Sequence, residues 1–120
     1  MIRLTYWLLL LGCVGCAAES SFEPTAKPPH AMQPKRPSEV RVVSEPAHAQ
    51  GVEVGRIEVT SEPHYSWDPQ TDQTLGLLRQ EAAQRGCDAI QVGPADSNLF
   101  MMGSTPMHRT TQSARCFVTP

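Results

Sequence analysis

Residues 74–92 read Thr-Leu-Gly-Leu-Leu-Arg-Gln-Glu-Ala-Ala-Gln-Arg-Gly-Cys-Asp-Ala-Ile-Gln-Val, and this stretch decides the fold. Leu75, Leu78 and Ala82 recur at helical spacing, with Leu77 and Ala83 widening the stripe, while Arg79, Gln80, Gln84 and Arg85 fall on the opposite side. The pattern predicts an amphipathic helix over residues 74–85, capped by Asp72 or Thr74. Gly86 supplies the stop, because the residue after a helix often takes a left-handed conformation that glycine adopts at little steric cost. Ala89-Ile90-Gln91-Val92 follows as a short strand, broken by Gly93-Pro94.

Upstream, Glu39-Val40-Arg41-Val42-Val43 alternates as a first strand with Val40 and Val42 inward, and residues 52–60 form a second. In that second strand the apolar residues sit at 52 and 54 and then at 57 and 59. The parity flips, so a bulge is expected at Gly55-Arg56. Residues 61–73 make a polar loop holding Glu62, His64, Tyr65, Trp67 and Asp68, and residues 95–112 make a second, long loop. A last strand runs over residues 113–119. The expected fold is α+β, a small, mostly antiparallel sheet of about four strands with one helix packed on one face.

At 120 residues, the chain leaves roughly 80 for a single domain once a leader and a linker are set aside, enough for a small core only. A net charge of -2 provides no basic stripe for nucleic acid. The N-terminus carries one early arginine, Arg3, and an apolar run over residues 4–11 that is too short to span a bilayer. Residues 1–16 therefore read as a signal peptide. Leu10-Leu11-Gly12-Cys13-Val14-Gly15-Cys16-Ala17 resembles the lipobox of bacterial lipoproteins, in which the cysteine after a small residue is acylated, with palmitate for example, and becomes the new N-terminus. Cys16 and Cys13 both qualify. Neither is followed by aspartate, the residue that in the enterobacterial pattern retains a lipoprotein in the inner membrane, so in a two-membrane envelope the resemblance implies the outer membrane, with the protein facing the periplasm. Residues 17–37 hold five prolines and no hydrophobic period, as expected of an extended linker, leaving residues 38–120 as the folded domain.

A strand ending in Val54-Gly55-Arg56-Ile57-Glu58-Val59, a helix closing on Ala82, Gly86, Asp88, Ala89 and Ile90, and a final Ala114-Arg115-Cys116-Phe117-Val118 together resemble a known family. They are similar to the C-terminal domain of RcsF-type envelope stress lipoproteins and to related YbjQ-like lipoprotein domains. The resemblance implies a helix on a small sheet, a proline-rich tether and contacts with other envelope proteins. The stress sensor's domain uses two disulfides, whereas only Cys87 and Cys116 remain here, so the resemblance carries the fold and not the sensing role.

Cys87 and Cys116 fall on strands expected to be neighbours. A disulfide between them is expected in an oxidising compartment, with two buried thiols as the alternative. Met101, Met102, Met107 and His108 combine thioethers with an imidazole, a set that suits soft ions such as Cu(I), unless the methionines simply fill space over the sheet edge. Glu62, His64 and Asp68 form a second candidate cluster. No hydrolase elbow, zinc-protease motif or phosphate loop is present, so neither an enzyme nor a resident cofactor is expected. The expected function is that of a membrane-anchored envelope lipoprotein serving as a non-enzymatic binding or sensing module. A soft-metal binding protein and a purely structural envelope protein are the alternatives.

Overall fold

A computed structural model describes residues 18–120. The signal peptide and both candidate lipidation sites, Cys13 and Cys16, lie outside the described residues. Five strands, β1 (Glu19–Pro24), β2 (Arg41–Val43), β3 (Val52–Thr60), β4 (Ala89–Met102) and β5 (Thr105–Val118), form one sheet in the order β1-β3-β5-β4-β2. One helix, α1 (Thr71–Arg85), lies across one face against β3, β5, β1 and β4. The expectation of about four strands is corrected to five among the described residues, in a mixed sheet, because β2 runs parallel to β4; the other three pairings are antiparallel. β2 starts where the Arg41 N–H bonds the Asp88 carbonyl, so β2 and β4 leave from the same end of the sheet.

The helix begins three residues earlier than its apolar pattern suggests. Gln70 occupies the cap position, and neither Asp72 nor Thr74 caps. Thr74 instead lies inside, its hydroxyl donating to Gln112 Oε1 at 2.7 Å. The buried stripe is accordingly Thr74, Leu78, Glu81, Ala82 and Ala83, rotated slightly from the expected one, with Leu75 at its margin. At the other end Gly86 takes φ +87°; its N–H bonds the Ala83 carbonyl and the Cys87 N–H bonds that of Ala82. Those two bonds satisfy carbonyls that the last turn would otherwise leave without partners.

Leu78 and Ala82 meet Val54, Ile57, Val59, Ile90, Ala114, Cys116 and Val118 in the main core. Each large aliphatic side chain buried there contributes about 1.5–3 kcal/mol. Cys87 and Cys116 are both fully buried and joined, with Cα atoms 5.6 Å apart across 29 residues of sequence. Closing a loop of that length contributes about 3–4 kcal/mol through the unfolded chain. A smaller cluster of Phe117, Ala89 and Ala49, with Val43 against it, occupies the other face under the 3₁₀ turn Pro46–Ala49. Val43 thus turns toward this cluster. Val42, expected inward, is exposed at the sheet edge.

The segment expected to be a linker is instead part of the fold. β1 pairs antiparallel with β3 along its whole length, and Phe22 packs against the core while Arg85 lies 5.3 Å above its ring. The parity slip in β3 arises one residue earlier than expected: the register shifts between Glu53 and Gly55, leaving Val54 as the extra residue. Gly55 has a different task, since a Cβ there would stand 2.2 Å from Cζ of Phe22. Past β1 the chain passes beneath the helix C-terminus, where the Lys35 N–H bonds the Ala83 carbonyl. A Cβ at Gly86 would come within 2.8 Å of the Gln33 backbone.

Asp88 ties this strap down. Lys35 Nζ pairs with one carboxylate oxygen, and the Thr119 N–H and hydroxyl donate to the other at 2.8 and 2.9 Å. Burial pushes the Asp88 carboxyl up, but the Lys35 ammonium and the two Thr119 donors outweigh it and hold the group at about 2, against an ordinary 3.8. A carboxylate lowered on folding stabilises fully above its unfolded value and loses that contribution as pH falls through the folded one. Stability should therefore fall between pH 3.8 and about 2. Asp88→Asn should be less stable at neutral pH and should flatten that part of the profile in a chemical denaturation series. Gly55→Val should displace Phe22 and lower stability by about 1–3 kcal/mol, read by the same denaturation at pH 7.

Candidate functional site

The region expected to be a long loop, residues 95–112, is regular structure. β4 and β5 continue as a hairpin past the end of the helix, closed at Met102 and Thr105 by Gly103-Ser104, with Gly103 at φ +63°. A two-residue turn that matches strand twist needs positive φ, which glycine provides. Pairing directly opposite residues fixes the faces. On the helix side Ser97, Leu99 and Met101 stand across from Thr110, His108 and Pro106; on the other side Asn98, Phe100 and Met102 stand across from Arg109, Met107 and Thr105. The candidate soft-metal set is therefore divided: Met101 and His108 share one face, and Met102 and Met107 share the other.

Leu99 is 55% exposed and Met101 59%, and Met102 is also exposed. Among the described residues β2 covers β4 only from Ala89 to Gln91, so the outer edge of β4 from 92 to 102 has no strand beside it. Asp96 is the only charged side chain on that edge, and no lysine guards it.

The segment 61–70 runs alongside β5 on this extension. His64 and His108 exchange backbone bonds of 2.8 and 2.7 Å, and Ser61 brackets Thr110 through its N–H and its hydroxyl oxygen. The Thr110 Oγ1 accepts the Gln70 N–H at 2.7 Å, so its own proton is free to donate to His64 Nε2 at 3.0 Å. His64 then carries its hydrogen on Nδ1 and donates it to the Ser66 carbonyl at 2.9 Å. Both of its ring nitrogens are committed. His108 differs: the residue is 3% exposed, its ring lies 6.0 Å from the His64 ring and 4.2 Å from that of Trp67, and its Nδ1 is buried with no hydrogen-bond partner.

Glu62 and Asp68, grouped with His64 by sequence, point into solvent. Among the described residues no three His, Cys, Asp or Glu side chains come together as a metal site. On the opposite face of the sheet, Arg56 and Arg115 stand directly across from one another beside a half-open concavity of about 480 Å³, with Glu53 3.8 Å from Arg115. Sequence reading missed the grouping of Trp67 with His108. The two are 41 positions apart, and the backbone bridge at His64 together with the contacts of Ser61 and Gln70 to Thr110 brings them together.

Neither a protein-family model nor a curated protein matches the chain. Among solved structures, the crystal structure of a Francisella virulence factor, FvfA, in its orthorhombic form is similar at a TM-score of 0.57 and 17% identity, covering 83% of this chain and 97% of that one. The likeness is one of fold alone. No helix among the described residues is long and apolar enough to cross a membrane.

Thr110 carries two contacts through one hydroxyl. Thr110→Val should leave the Gln70 N–H and His64 Nε2 without partners and cost about 1–3 kcal/mol. Amide hydrogen exchange should speed up over residues 61–70 before it does so in the core strands.

Proposed function

We propose that this chain is a lipid-anchored protein of the cell envelope that acts as a non-enzymatic binding module, with the β4 side of the projecting hairpin as its recognition surface. The observation that carries this reading is the free β4 edge beside the exposed Leu99 and Met101. A strand edge with unpaired N–H and C=O groups and few charges is a template for another strand. Its partner is an extended, largely apolar segment of another envelope protein, which would take up the backbone groups and lay alternate side chains over Leu99 and Met101. The anchor is supported by the lipobox-like residues around Cys13 and Cys16, and the envelope setting by the fully buried Cys87–Cys116 disulfide.

The test is site-specific photocrosslinking in intact cells, with a photoreactive residue at Leu99 in the full chain and, as control, at Lys27. Leu99 should yield a membrane-associated adduct whose crosslinked peptide is an extended apolar segment. Lys27 should not yield it, and Met101→Glu should reduce it by at least about tenfold. Equal adducts from both positions, or a chain that stays out of the membrane fraction, would reject the reading. An adduct at twice the chain's own mass would replace the foreign partner with a second copy.

A further inference from the structure

We propose that His108 and Met101 form a site for a soft monovalent cation, Cu(I) or Ag(I), roofed by the indole of Trp67. The starting point is the buried Nδ1 of His108, which meets no hydrogen-bond partner. Buried polar atoms are nearly always satisfied, and an exception calls for a ligand or a specific role. Imidazole nitrogen is also a good donor to soft metals.

A second donor is placed by the register. Leu99 is directly opposite His108, and Met101 is opposite Pro106, so Met101 and His108 are diagonal neighbours on one face. Diagonal positions in an antiparallel pair are about 7–8 Å apart at the backbone, within reach of a long side chain. Met101 is 59% exposed, so its thioether can swing without disturbing the core. Met102 and Met107 point to the other face and cannot join it. His64 cannot serve either without giving up Ser66 or Thr110.

A cation on the His108 ring would lie beside the Trp67 indole, whose ring centroid is 4.2 Å from it. Indole is the best of the aromatic faces for a cation. Trp67 is itself 71% exposed, so this side chain can shift against the His108 ring without disturbing the core. Zinc and calcium require more donors than these positions offer, whereas thioether with imidazole selects soft ions.

The site stands apart from the strand-docking surface even though both use Met101. Docking needs the apolar bulk, and the cation needs the sulfur. Met101→Leu keeps the first and removes the second.

The test titrates Ag(I) into the full chain in detergent, with Cys13→Ser and Cys16→Ser removing competing thiols. NMR follows the Trp67 indole and His108 imidazole resonances. Both should move together and saturate at a single equivalent. Met101→Leu should weaken binding by at least about tenfold, and Met102→Leu should leave it unchanged. His108→Gln, checked for folding by circular dichroism, should abolish it. Absence of a His108 response, or an affinity unaltered by Met101→Leu, would overturn the proposal; Met101→Leu decides the matter even where His108→Gln misfolds.

Discussion

Three consecutive residues, Gly86, Cys87 and Asp88, join the end of the helix to the sheet and to the strap beneath it. Gly86 turns the chain out of the helix at positive φ, Cys87 bonds it to Cys116 near the C-terminal end of β5, and Asp88 gathers Lys35 and Thr119. Helix end, sheet centre, strap and C-terminal residues meet within a few ångströms. Gly86 has the least room for exchange, since a Cβ there would strike the Gln33 backbone held in place by the same strap. For a chain with so few large buried side chains, a covalent and ionic junction of this kind does work that a larger protein assigns to its apolar interior.

What the sequence made legible follows from where side chains are obliged to alternate. α1 and β3 each have one face against the core, so Leu78 and Ala82, or Ile57 and Val59, recur at the period of their element. The stop at Gly86 could be read because its backbone conformation restricts the residue type. β1 could not be read: in Glu-Ser-Ser-Phe-Glu-Pro only Phe22 is apolar, and the strand exists because β3 offers it a backbone ladder and Gly55 leaves room for that ring. The hairpin was hidden for a related reason. Past the end of α1 neither face is covered by a helix, so residues 97–108 need no alternation, and backbone pairing holds them instead.

The candidate site was visible as residue types and invisible as geometry. Met101 and His108 invite attention together, but whether they share a face depends on the parity set by Gly103-Ser104, and a turn one residue longer would separate them. Trp67 and His64 reach the same place through a bridge between His64 and His108 that no local pattern announces. Pairings of this sort depend on contacts remote in sequence, and these are the ones that propensity and periodicity do not encode.

For a chain anchored as proposed, the pairing of β1 would also limit how the molecule could sit on a bilayer. In a chain acylated at Cys16, only residues 17 and 18 separate the lipid from Glu19, a leash of about 10 Å at most. Glu19 lies level with Thr60, which itself is level with Thr111, and the hairpin continues seven residues further in the same direction, about 23 Å. Standing upright, such a molecule would drive its tip deep into the lipid before the leash went slack. Anchored in the way proposed, it would recline, with Leu99 and Met101 carried low over the headgroups, where a partner would have to approach from the side.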